Sequence, residues 1–93
     1  MNPEEINPFI LNLINGNGAR RGIPVIKIGD RVRVKYSGNE DNFRDQLRKG
    51  TVYRISLTRL AEEYSNPEFL EYVILTNDGQ TLKKLRLCLE KIE

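Results

Sequence analysis

The first apolar residues of the chain, Ile6, Phe9, Ile10, Leu13 and Ile14, recur at intervals of three and four, which sets them on one face of a helix. Two starts compete: Asn2 as cap with Pro3 first, or Asn7 as cap with Pro8 first. Pro8 inside a longer helix would lose a hydrogen bond and clash with the preceding turn, so the regular part begins at Pro8. Gly16 and Gly18 end it. Arg20-Arg21-Gly22 then lead into Ile23-Pro24, where the residue before proline is pushed to extended backbone. From Val25 the period becomes two. Ile26 and Ile28 alternate with Lys27, Gly29-Asp30 forms a turn, and Val32, Val34 and Tyr36 alternate with Arg31, Arg33 and Lys35. This predicts a half-buried strand whose outer face is entirely basic. Thr51 to Leu57 reads as a second strand, with Val52 on one face and Tyr53, Ile55 and Leu57 on the other. Tyr72 to Thr76 is a nearly all-apolar strand, and Asn77-Asp78-Gly79 supplies the positive-φ positions of a tight hairpin. The last strand sets Leu85, Leu87 and Leu89 inward against Lys84, Arg86 and Cys88, and Ile92 closes it. Two long polar stretches, residues 37–50 and 58–69, separate the strands; the second contains Asn66-Pro67 and a helical turn near Leu60.

Four or five short strands without crossover helices make an antiparallel meander, which must curl to bury its single apolar face. The predicted fold is therefore mainly β: a small SH3-like antiparallel barrel over residues 23–93, preceded by a short N-terminal helix and linker over residues 1–22. Its expected core contains Val32, Val34, Ile55, Val73, Leu85 and Leu87. Tyr36 and Tyr53 fall in apolar register and read as core residues, not as base-stacking platforms.

Composition narrows the chemistry. The chain has 93 residues, one cysteine (Cys88) and no histidine. That excludes an internal disulfide framework and a Ser–His–Asp or Cys–His triad, and it argues against a zinc site, so no metal, cofactor or small-molecule substrate is expected. The acidic group Glu62, Glu63, Glu68, Glu71 and Asp78 has no apolar surroundings to desolvate it and reads as a solvated surface, not as an acid–base pair. Cys88 reads as a half-buried thiol on the outer face of the last strand. No apolar run approaches the ~20 residues of a membrane span, and the acidic start Met1-Asn2-Pro3-Glu4-Glu5 is unlike an export or transit signal. A binding or structural module is expected, not an enzyme.

Charge then points to a partner. The net charge is only +2, but residues 20–59 hold eleven Lys and Arg against four acids (+7), while residues 60–82 hold five acids and no base (−5). This is the pattern of one basic face on a small domain. Arg31, Arg33 and Lys35 would stand about 6.5–7 Å apart on one strand face, near the spacing of successive phosphates. With Arg20, Arg21, Lys27, Arg44, Arg48, Lys49 and Arg54 they form the candidate RNA-binding set; the loop cations could reach a groove of structured RNA. The competing readings are a solvated sheet face and an SH3-like protein-docking subunit that uses the acidic stretch 60–82.

The residues Ile23, Pro24, Gly29, Asp30, Val32, Arg33 and Val34 match the "IP…GD-x-V-(R/K)-V" entry of one family. Arg44, Gln46, Gly50 and Val52 hold the places of its "R-x-Q-x-F-E-G-x-V" signature, and Leu89-Glu90-Lys91-Ile92-Glu93 is similar to its "I-E-K-I-E" tail. On these residues the chain resembles the bacterial-type large-subunit ribosomal protein nineteen family. Arg48 and Lys49 replace the signature's Phe-Glu, residues 58–70 do not match, and the family's basic C-terminal extension has no counterpart. The resemblance implies a divergent or organellar component of the large ribosomal subunit near the subunit interface. It would lie among neighbouring ribosomal proteins, in the cytoplasm, a mitochondrion or a plastid, with Gln46 added to the RNA-contacting residues.

Overall fold

The computed structural model describes residues 8–17, 22, 24–35 and 47–92. Helix α1 (Pro8–Asn12) begins at its proline and runs on as a π-helical turn over Leu13–Asn17. Five strands follow: β1 (Arg31–Val34), β2 (Lys49–Ser56), β3 (Glu71–Thr76), β4 (Thr81–Leu85) and β5 (Leu89–Lys91). All pair antiparallel in one open sheet of order β4-β3-β2-β1-β5. The first four strands form a meander, and the last returns to the free side of the first. That is the mainly β, small barrel-like architecture expected from the alternation, with β4 and β5 as its two edges.

The inner face explains why the sheet forms. Val32 and Val34 of β1, Val52 of β2, Tyr72 and Ile74 of β3 and Leu89 of β5 are almost entirely buried. Ile10, Leu13 and Ile14 join the same cluster, so the N-terminal helix contributes to the barrel core; Phe9, expected on that helix face, is largely exposed. Gly50 sits where β2 crosses β3 closely: a Cβ there would stand 2.4 Å from Ile74 Cγ2 and 2.6 Å from the Leu75 carbonyl oxygen. Gly29, at φ +95°, makes the turn into β1, and its N–H donates to the Val52 carbonyl at 2.8 Å.

Four expectations are corrected or refined. No strand forms over Val25–Ile28; this stretch is irregular, though Ile26 is fully buried. The stretch 58–69, expected as a long loop with a helical turn near Leu60, carries that turn as the six-residue helix α2 (Arg59–Tyr64) and adds a 3-10 turn (Pro67–Phe69). Each is started by a side-chain cap: Thr58 Oγ1 accepts from the Ala61 N–H, and Asn66 Oδ1 from the Glu68 N–H. In β2 the register with β3 slips between Val52 and Arg54. Tyr53 and Arg54 both face Val73, so Val52 and Ile55 share the inner face and Tyr53 is 58% exposed instead of core. Finally, a 3-10 turn (Arg86–Cys88) separates β4 from β5. The register of β4 sets Lys84 opposite the buried Tyr72, and the turn then buries Arg86 and Cys88. Leu85, Leu87 and the outward Val73 are only half-buried, and Cys88 is buried, not outward.

Candidate nucleic-acid interface

Alternation in β1 leaves Arg31 and Arg33 no inward option, because Val32 and Val34 fill the core side. Pairing then builds a patch on the outer face. Arg33 lies opposite Lys49 of β2, and Arg31 opposite Thr51. The bulge adds Arg54 to the same side, opposite Val73, which in turn pairs with Lys83 of β4. Four of the expected residues, Arg31, Arg33, Lys49 and Arg54, thus stand on the outer face of two adjacent strands, with neighbouring strands about 4.7–4.9 Å apart.

Their electrostatic surroundings differ. Arg33 is held by Glu90 of β5, with Nε donating at 2.6 Å and Nη2 at 2.5 Å. Arg31 donates through Nη1 to Asn77 Oδ1 at 3.0 Å and to Thr51 Oγ1 at 3.3 Å. Arg48 reaches the β3–β4 hairpin, where its Nη2 donates to Gln80 Oε1 at 2.8 Å and lies 3.5 Å from Asp78 Oδ1. Asp78 also accepts from the Thr76 hydroxyl, which holds its carboxyl below the ordinary value. Lys49 and Arg54 are exposed and make no ion pair among the described residues.

The remaining candidates are placed apart. Lys35 is exposed just beyond β1, where its N–H donates to the Cys88 carbonyl at 2.9 Å, beside a groove of about 380 Å³ bordered by Pro24, Glu68 and Arg86. Lys27 stands on the irregular segment before β1, off the strand face. Arg20, Arg21, Arg44 and Gln46 lie outside the described residues.

Two further cations are structural. Arg86, only 5% exposed, donates through Nη1 to the Leu89 carbonyl at 3.0 Å and through Nη2 to the Pro24 carbonyl at 2.6 Å. Burial lowers its pKa from the ordinary arginine value. The neighbouring Tyr72 donates its hydroxyl to the Ile26 carbonyl at 2.9 Å, and burial pushes its pKa up to about 12.

Residue-level reading missed Tyr53, Lys83 and Leu75 on the outer face. One signal existed: Val52 and Ile55 are apolar at a spacing of three, which a strand accommodates only with an extra residue between them. Among the described residues no three carboxylate or thiol groups are arranged to hold a metal ion. No helix among them is long and apolar enough to cross a membrane. Compared with protein families, with curated proteins and with solved structures, the chain gives no match.

Proposed function

We propose that this chain is an RNA-binding module of the large ribosomal subunit, which grips ribosomal RNA through the outer face of β1 and β2. The observation that carries the reading is the register that sets Arg31, Arg33, Lys49 and Arg54 on one face, the last two without an ion-pair partner among the described residues. Cations fixed on paired strands are presented at set spacings, as phosphate contacts require, and need little further ordering on binding. The resemblance of the barrel entry supplies the ribosomal part of the proposal. Internal pairing divides the labour: Lys49 and Arg54 meet phosphate directly, while Arg33 must share its guanidinium with Glu90.

A docking module for another protein is the competing reading, favoured by α2, where Leu60 and Tyr64 are exposed beside Glu62 and Glu63. One titration separates the two. Wild type and Lys49→Ala/Arg54→Ala are bound to large-subunit ribosomal RNA over a range of salt concentrations. Each lost phosphate contact should lower the slope of log affinity against log salt by roughly 0.7–0.9. An unchanged slope would overturn the RNA reading. If instead Glu62→Lys/Glu63→Lys abolishes co-sedimentation with a protein complex, the docking reading takes its place.

A further inference from the structure

The same face carries a feature that phosphate binding does not use. The bulge in β2 turns two consecutive side chains outward, and the first is Tyr53 with 58% of its surface exposed. Its surroundings are specific. Val73, opposite the bulge, is half-buried, and Leu75 of the same strand is 43% exposed, so an apolar strip lies beside the ring. Arg54 and Lys83 flank the strip opposite Val73, Arg31 flanks it through Thr51, which lies opposite Leu75, and Lys49 stands two residues before Thr51 on the same face of β2. Among the described strand residues, two carboxylates share this face. Glu90 is engaged by Arg33, and Glu71 lies toward the far end, opposite Ser56 and Leu85.

We propose that Tyr53 is a stacking platform for an unpaired base of single-stranded RNA, with the flanking cations holding the phosphates on either side. The inference rests on the RNA reading above and adds the form of RNA that is recognised. An aromatic ring on an open sheet can engage only the flat π-face of a base, and in a duplex that face is covered by its neighbours; a single strand offers it. The charge arrangement selects the same ligand, because a polyanion with apolar bases complements an apolar strip rimmed by cations. A protein segment of matching charge would lack the stacked base.

The test compares a ten-nucleotide single-stranded RNA with an abasic ribose-phosphate chain of equal length, measured by fluorescence anisotropy at fixed salt. Tyr53→Ala should weaken binding of the RNA by roughly 5- to 150-fold and leave binding of the abasic chain unchanged. Tyr53→Phe keeps the ring and should bind like wild type. Lys49→Ala/Arg54→Ala should weaken both ligands alike. A thermal melt of each variant confirms folding, and the exposed position of Tyr53 makes its loss tolerable. Equal binding of both ligands by wild type, or Tyr53→Ala binding RNA like wild type, would overturn the stacking inference. The cation reading would survive that result if the double variant still weakened both. Failure of wild type to bind either ligand would remove both proposals together.

Discussion

The bulge in β2 and the 3-10 turn between β4 and β5 each interrupt a strand, yet the first turns an aromatic ring out to solvent while the second draws a guanidinium in. Each break shifts the phase of the residues that follow. At the bulge the shift rescues Ile55, which returns to the core beside Tyr72, and the surplus residue has no place except outside. At the 3-10 turn the shift rescues Leu89, and the residues spent in making it, Arg86 and Cys88, end up inside. What makes the second outcome stable is a set of acceptors: the carbonyls of Pro24 and Leu89 stand ready for Arg86. A buried cation with bonded donors can be tolerated, whereas one without them would be expelled or neutralised. Side-chain type therefore decides less than the partners that the backbone supplies.

That contrast predicts its largest effect at Arg86. Arg86→Met should leave two carbonyls unbonded and cost about 2–5 kcal/mol, read as a lower urea midpoint; a midpoint near wild type would mean that the guanidinium is a passenger. Next comes Gly50, just upstream of the bulge. Gly50→Ala should cost about 1–3 kcal/mol, because Ile74 and the β3 backbone leave no space for a methyl group. If it melts like the parent, β2 and β3 approach less closely than described.

Tyr72, which packs opposite Lys84, gives a pH signature. Its folded pKa of about 12 lies above the value of 10.0 for an unperturbed phenol, so the native state holds its proton more tightly than the unfolded chain does. The contribution is full below pH 10 and is lost as pH rises toward 12, amounting to about 2–3 kcal/mol. Tyr72→Phe should flatten that alkaline decline in stability relative to wild type. A parallel decline in both proteins would contradict the assignment.

The smallest effects belong to the outer face. Glu90→Gln should cost less than about 1 kcal/mol, since its pair with Arg33 is partly exposed, yet it should tighten RNA binding by releasing that guanidinium. Tyr53→Ala should change stability by no more than about 0.5 kcal/mol. A large loss there would show that the bulge serves packing and would erase the contrast with Arg86.

The parts of the fold that could be read in advance are those with uninterrupted alternation. Arg31 to Val34 gave its strand, its buried valines and its outward arginines at once, and Asn77-Asp78-Gly79 gave its hairpin, with Gly79 at φ +87°. The outward positions of Arg31 and Arg33 were readable for the same reason, whereas Arg54 reaches that face only through the bulge and Lys35 falls beyond the end of β1. The misplaced residues follow breaks in period. Counting in twos across the bulge sets Tyr53 in the core, where it does not lie. Alternation alone sets Leu85 and Leu87 inward, because nothing local announces a 3-10 turn in Arg86-Leu87-Cys88. The helix α2 was under-read because six residues carry little periodicity, although its Thr58 cap was visible. Which cations are engaged could not be read at all. Glu90 reaches Arg33 only through the pairing of the first strand with the last.

That pairing also orders events in time. Arg33 and Glu90 are 57 residues apart, whereas β2 and β3 are separated only by residues 57–70, and β3 and β4 only by residues 77–80. Closing so long a loop costs more entropy than forming a local hairpin, so the β2–β4 meander is expected to assemble first and the β1–β5 ladder last. On a chain emerging from its N-terminus, β1 would present an unpaired edge until residues 89–91 arrive. In pulsed hydrogen exchange, amides of the central meander should accordingly gain protection before the Lys35 and Ile92 amides that zip the final strand into place.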